Sequence, residues 1–306
     1  MVEKPAIAVI GAGLMGAGIA QVFACAGHAV RITDPHVDTR DQIISRIDAN
    51  LVDLDLDRTA AARVSVCESL EESVGDADWV FEAAPEDLPL KQRIFSQIEQ
   101  AAPPGAILAS NTSVIPITQV MGDVVRKQRA LGTHWWNPPY LVPLVEVVRT
   151  AATSDDAIAR TVALLAAVGK QPVEVKKDVA GFVGNRLQHA LWREAIALVA
   201  EGVCDAETVD TVVKASFGRR LAVLGPLENA DMVGTDLTQS IHRYVLPHLD
   251  RSTAPSPYLD QMVSEGRLGF KSGRGFHAWT PEQQSALRRR VVHHLKAAAG
   301  SVPTGE

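Results

Sequence analysis

Ala6-Ile-Ala-Val-Ile10-Gly11-Ala-Gly13-Leu-Met-Gly16 is the stretch that decides the fold. Its first five residues form a short apolar run, the signature of a strand buried on both faces of a parallel sheet. Three glycines then follow in the order G-x-G-x-x-G, and Leu14–Ala26 reads as a helix. Gly11 permits the tight turn, Gly13 lets the backbone approach a pyrophosphate, and Gly16 lets helix and strand pack closely. The helix N-terminus offers free N–H groups and partial positive charge to phosphate. Ala29–Thr33 predicts the second strand, and Asp34 ends it, eighteen residues after Gly16. A carboxylate there accepts from both ribose hydroxyls and repels a 2′-phosphate, so NAD is expected over NADP. His36 and Arg40 lie close by and leave room for some NADP tolerance.

Outward from this unit, apolar runs alternate with helical patterns. Strands are expected at Val64–Val66, Trp79–Glu82, Ala106–Ala109, Ala130–Thr133, Leu144–Val148 and Pro172–Val175. Helical patterns cover 38–63, Leu88–Gln100 and Asp155–Val168. The alternation predicts an α/β fold with a Rossmann-type, parallel, doubly wound sheet. After Lys177 the strand signal fades, and helices are expected at Asn185–Glu201, Ala206–Lys214, Asp231–Leu249 and Pro281–Ala299. The division predicted is a nucleotide-binding domain over 1–178 and an all-α domain over 179–306.

Composition removes several classes of function. The net charge of −6 disfavours a general affinity for nucleic acid or anionic membrane. The clusters Arg126-Lys127-Gln-Arg129 and Arg288-Arg289-Arg290 read as solvated faces, as do His293 and His294. Cys25, Cys67 and Cys204 are distant and odd in number, so neither a disulfide framework nor a metal site is expected. Pro5–Gly27 is uncharged, but its glycines fit a strand–turn–helix better than a membrane span. A cytoplasmic protein is expected.

Gly132-Thr-His134-Trp-Trp-Asn137-Pro138-Pro139-Tyr140-Leu-Val-Pro143-Leu-Val-Glu146-Val-Val carries the chemistry. A histidine and a carboxylate stand twelve residues apart within apolar runs. Burying either charge alone is costly, and each meets the other's need. Glutamate accepting from one ring nitrogen fixes the tautomer and leaves the other nitrogen as a base. A satisfied core histidine beside a strand-end glutamate would also fit this spacing. Ser110-Asn-Thr-Ser113 follows a strand end, where open α/β sheets bind ligands. Gly181-Phe-Val-Gly-Asn185-Arg186 opens the helical part. Singly, these two segments read as a capping turn and a glycine-flanked hinge.

In this order the motifs resemble the L-3-hydroxyacyl-CoA dehydrogenase family over nearly the whole chain. They continue through Glu82-Ala-Ala-Pro-Glu86, Gly225-Pro226 and Gly269-Phe-Lys271-Ser-Gly-Arg-Gly275-Phe276. The resemblance implies an NAD-dependent dehydrogenase with His134 as general base or acid and Glu146 as its partner. It places Ser113 and Asn185 on the reacting oxygen, and Glu86, Lys91, Asn111 and Lys271 at the cofactor. It also implies a homodimer formed through the helical domain.

Two features turn the expectation away from coenzyme A. The acyl-CoA enzymes carry a long lysine-bearing helical hairpin after the second strand. Residues 38–63 here are short, hold no lysine, and set six aspartates against Arg40, Arg46, Arg58 and Arg63. Such a face is poor for an anionic nucleotide tail. Asn137–Glu146 and Arg220–Glu228 look more like the gulonate 3-dehydrogenase (lambda-crystallin) branch. His134-Trp135…Asn137-Pro138-Pro139, Val175–Asp178 and Phe270–Gly273 also resemble a bacterial pyridine-carboxylate dehydrogenase, and carnitine dehydrogenases share part of this small-substrate pattern. The expected substrate is a small 3-hydroxy acid, with Asn137 and a carboxylate-gripping Arg219 or Arg220 (Arg220 favoured) at the substrate. One of Trp135 and Trp136 is expected at the substrate and the other in the core. The alternatives are a 3-hydroxybutyryl-CoA dehydrogenase and a non-catalytic, crystallin-like NAD-binding protein.

Overall fold

A computed structural model describes residues 4–299. Eight strands form one sheet: β1 Ile7–Ile10, β2 Val30–Thr33, β3 Val64–Val66, β4 Trp79–Glu82, β5 Ile107–Ser110, β6 Ala130–Trp135, β7 Leu144–Val148 and β8 Gln171–Val175, in the order β3-β2-β1-β4-β5-β6-β7-β8. Alternate residues of each central strand serve opposite faces. Ile7 and Val9 join a core with Phe23, Phe81 and Trp135, while Ala8 and Ile10 join another with Val80, Phe95 and Leu108. Burial on both faces is why these strands are apolar throughout. Each fully buried large side chain contributes roughly 1.5–3 kcal/mol.

The pairing is parallel from β3 to β6, but β7 runs antiparallel to β6, and β8 is parallel to β7. The all-parallel expectation is therefore corrected at the last two strands. The cause is chain length. Only residues 136–143 join β6 to β7, and a parallel crossover needs a dozen or more.

The helices of the sheet region begin with α1 Leu14–Cys25, α2 Val37–Asp41, α3 Ile43–Asp53, α4 Leu70–Val74, α5 Leu88–Ala101, α6 Ile117–Val120 and α7 Asp155–Ala167. Several starts follow side-chain caps. Asp87 accepts from Leu90 N–H, and Ser154 from Ala157 N–H; such caps satisfy otherwise free donors. The remainder comprises α8 Gly184–Ala200, α9 Ala206–Ala215, α10 Pro226–Val233, α11 Thr235–Val245, α12 Pro257–Ser264 and α13 Pro281–Ala299. The single helix expected over Asp231–Leu249 is broken at Gly234, whose φ of 99° no helix contains.

The chain divides into two compact units. The first runs to Arg186 and includes the residues from Val292 on; the second is Leu187–Val291. Arg129 departs from its expected solvated face. It is 6% exposed and donates to the Pro103 and Ala106 carbonyls. Among the described residues, no helix is long and apolar enough to cross a membrane. Cys25, Cys67 and Cys204 are all free thiols.

Candidate active site

The antiparallel register sets His134 of β6 directly opposite Glu146 of β7. Their side chains meet at 2.7 Å between Nδ1 and Oε2, and they are 4% and 1% exposed. The other carboxylate oxygen accepts from Val183 N–H at 2.9 Å and Gly184 N–H at 3.1 Å. Burial alone would push the Glu146 carboxyl up. The His134 hydrogen bond and the Gly184 and Val183 N–H groups outweigh it and hold the carboxyl below the usual range. An ionised Glu146 accepts at Nδ1, which leaves Nε2 as the free proton acceptor.

The segment that satisfies Glu146 has an uncommon backbone. Gly181 and Phe182 are both left-handed, with φ of 74° and 49°. For Phe182 this costs about 1–2 kcal/mol relative to the right-handed region. Gly184 is small for a different reason, since a Cβ there would run into the Trp136 indole. Trp136 packs against the His134 ring with centroids 5.1 Å apart. Trp135 is instead a core residue, stacked edge-on against Phe23 and Phe81. Of the two tryptophans, Trp136 is the one beside the histidine.

Asn185 and Ser113 come together through the Asn185 amide donating to the Ser113 carbonyl at 2.8 Å. The Ser113 turn is held from below. Glu86 Oε1 accepts from the Thr112 hydroxyl and from the N–H groups of Ser113, Val114 and Ile115. Burial would raise the Glu86 carboxyl, but the Thr112 hydroxyl, the Val114 N–H and the Lys91 charge lead the effects that hold it low. Lys91 is fully buried and donates to Glu82 Oε1 at 2.7 Å and to the Ala84 carbonyl at 3.1 Å. Glu82, also fully buried, accepts from the Ser110 hydroxyl at 2.6 Å. Sequence reasoning missed Glu82 as a functional group. A carboxylate closing the apolar run Trp79–Phe81 was the signal, because a buried charge must find a partner. Asn111 accepts from Trp135 N–H at 2.9 Å and so links the ends of β5 and β6.

The loop between His134 and Glu146 is fastened by Lys170, another residue not anticipated. Its ammonium donates to the Pro139 carbonyl and, at 3.0 Å, to the Val142 carbonyl. It also lies 5.6 Å from the Trp135 ring. Burial pushes it down to about 8. Asn137, in the same loop, is exposed.

At the other end of the site, Gly11 lies against Ala83, and a Cβ on Gly16 would collide with the Gly11 carbonyl. Among the described residues, chain neighbours apart, nothing lies within 4 Å of where a Gly13 Cβ would be. No side chain caps the N-terminus of α1, so its N–H groups remain available. Asp34 Oδ2 accepts from Ala12 N–H at 2.9 Å, and Oδ1 accepts from His36 N–H at 3.0 Å. Burial would raise its carboxyl, but the Ala12 and His36 hydrogen bonds hold it low. Open backbone donors, a close-packed turn and an ionised carboxylate at the β2 end fit a dinucleotide. Arg220 and Lys271 both lie in the second unit and are exposed. The Arg219 and Arg220 guanidinium groups make no hydrogen bond or ion pair among the described residues.

The chain belongs to the 3-hydroxyacyl-CoA dehydrogenase family. The family's NAD binding domain matches residues 6–179, and its C-terminal domain matches 181–279. It is an NAD-dependent dehydrogenase acting on CH–OH groups. Over 296 residues it is 34% identical to 5-formyl-3-hydroxy-2-methylpyridine 4-carboxylate 5-dehydrogenase of Mesorhizobium japonicum, covering 95% of this chain and 96% of that one. It is 38% identical over 284 residues to "Probable 3-hydroxybutyryl-CoA dehydrogenase" of Bacillus subtilis, covering 90% of this chain and 97% of that protein. A solved structure of the pyridine-carboxylate enzyme, described as an NAD+-dependent dismutase, superposes with a TM-score of 0.90 at 34% identity over 97% of each chain.

Proposed function

We propose that this dehydrogenase oxidises the secondary alcohol of a small 3-hydroxy acid that is not bound to coenzyme A, or reduces the matching ketone. The observation that carries this reading is the state of the arginines after β2. Arg40 donates to the Asp34 carbonyl, Arg46 to the Ala12 carbonyl and Arg63 to the Ala24 carbonyl, while Arg58 forms a two-pronged pair with Asp48. Lys296, which reaches this segment, is tied to Asp53. Arg58 and Lys296 are thus neutralised by carboxylates, and the six aspartates of 38–63 outnumber its four arginines, so the segment offers an anionic nucleotide tail a net acidic face. The likeness to an enzyme named for a pyridine carboxylate agrees with this reading.

In the oxidation, His134 Nε2 takes the hydroxyl proton, and Glu146 stabilises the imidazolium. NAD, when bound, accepts the hydride, and the protein supplies orientation. In the reverse direction, protonated His134 with Ser113 and Asn185 polarises the ketone as an oxyanion hole does. Gly11, Gly13, Gly16 and Asp34 hold the adenosine and pyrophosphate. Glu86, Lys91, Asn111 and Lys271 serve the cofactor, Asn137 serves the substrate, and Arg220 grips its carboxylate. The working division is a nucleotide-binding part over 1–178 and a substrate-binding and dimer-forming part over 179–306. Homodimerisation is supported by large apolar side chains that the second unit exposes, among them Trp192, Leu227, Met232 and Tyr244. The free thiols suit a cytoplasmic location.

One observation favours a second reading, a 3-hydroxybutyryl-CoA dehydrogenase: the 38% identity to a relative so named. A non-catalytic binding role is disfavoured, because holding a cofactor requires no buried His134–Glu146 pair. Comparing kcat/KM for acetoacetyl-CoA with free 3-oxo acids and aromatic ketones in NADH oxidation tests the proposal. A free acid should be preferred; preference for the thioester would establish the second reading.

A further inference from the structure

We infer that Phe182 is a positioning residue for the His134–Glu146 pair, acting through both its ring and its backbone. This rests on the catalytic role proposed for that pair.

Only two non-glycine residues among those described have positive φ, Asp55 and Phe182. Asp55 sits in an exposed turn, and aspartate tolerates the left-handed region. A bulky aromatic residue there is a true outlier, and such residues persist only where surrounding contacts over-determine them. Phe182 is 1% exposed and packs in the core with the Ile117, Val120 and Val148 side chains. Its ring centroid is 5.7 Å from that of His134, at an interplanar angle of 51°. With Trp136 at 5.1 Å, two aromatic rings restrain the imidazole.

The backbone contributes separately. Two left-handed residues in succession, Gly181 and Phe182, bend the chain just before α8. The next two N–H groups, Val183 and Gly184, then converge on one oxygen of Glu146. Paired N–H groups of this kind form a concave site for an anion. The bend is anchored at its start by Gly181 N–H donating to the Val114 carbonyl at 3.0 Å. It is anchored at its end by Asn185 on Ser113. One strained residue thereby fixes the imidazole plane with its side chain and aims the carboxylate with its backbone. Glycine would adopt the backbone more cheaply but would leave the imidazole without its wall.

Two variants separate positioning from core filling. F182G removes the ring and lets the left-handed backbone relax, while F182L keeps bulk without an aromatic face. The deciding readout is the far-downfield proton of the Glu146-bound imidazole N–H in one-dimensional NMR, assigned by its loss in H134A. NADH affinity by fluorescence and kcat for reduction of acetoacetate and acetoacetyl-CoA accompany it. In F182G the resonance is expected to broaden or vanish, a change that loss of the ring current alone does not cause, with kcat at least about tenfold lower and NADH affinity within about twofold of wild type. F182L should broaden the resonance by less. A resonance as sharp and intense as in wild type in a folded F182G overturns the inference, and should F182G not fold, the same result in F182L does so. Because the resonance needs no substrate, failure of the dehydrogenase reading shows separately, as an inactive wild type whose resonance still responds to substitution of Phe182.

Discussion

His134 and Glu146 are direct cross-strand partners, joined at 2.7 Å across the one antiparallel pairing of the sheet. The pair owes its geometry to strand register, since a slip of one residue would send either side chain to the opposite face. Glu146→Gln should preserve the fold while presenting an amide where a carboxylate held the tautomer. A fall in kcat of about 10²–10⁴-fold is expected, the usual worth of a positioned acid–base group. Steady-state kinetics at saturating NADH measure it, and a loss confined to KM would show that Glu146 serves binding.

Gly184 has a Cβ position that lies inside the Trp136 indole and 3.4 Å from Glu146 Oε2. Gly184→Ala should therefore displace Trp136 and cost about 1–3 kcal/mol, as overpacking does. Activity should fall more than NADH binding. A variant equal to wild type in thermal unfolding and kcat would show that the indole yields freely.

Glu82 and Lys91 are each fully buried and face each other at 2.7 Å. Glu82→Gln removes the ammonium's nearer carboxylate and leaves it Glu86 Oε2 at 3.8 Å, so a loss of up to about 3–5 kcal/mol is expected, the cost of breaking a buried pair. Adding Lys91→Met should recover part of that loss in denaturant titrations. No recovery would mean that the Ser110 hydrogen bond, not the ion pair, dominates.

Lys170 is held at about 8 by burial, below its ordinary value of 10.5. Between those values the unfolded chain binds more protons than the folded one, so this residue makes stability rise with pH across that window and lowers it as pH falls through 8. The full span amounts to up to about 3 kcal/mol. Lys170→Met should flatten the rise in unfolding free energy between pH 8 and 10.5. Identical slopes in the two proteins would place the titration elsewhere.

Much of this was legible because period and punctuation agree. Val64–Val66, Trp79–Glu82 and Leu144–Val148 are strands with the bounds read from the sequence, and Pro281–Ala299 is the helix expected there. The direction of β7 was also available, in the eight residues of 136–143, but the alternation of strand and helix upstream argued the other way. Phe182 and Lys170 were not legible, and Glu82 was so only as a carboxylate closing an apolar run, without its partner. Their roles depend on backbone conformation and on partners 9 to 48 residues distant, and neither follows in full from local pattern. Arg129 misled because a basic cluster reads as solvated, yet one member can turn inward to carbonyls.

The central claim is that His134 does chemistry and the glycine turn does binding. NADH affinity by fluorescence and turnover of the best free 3-oxo acid should be measured together on His134→Ala. Affinity should stay within about twofold of wild type while turnover falls by about 10²–10⁴-fold. Retained turnover, or loss of NADH binding by a folded variant, would contradict it.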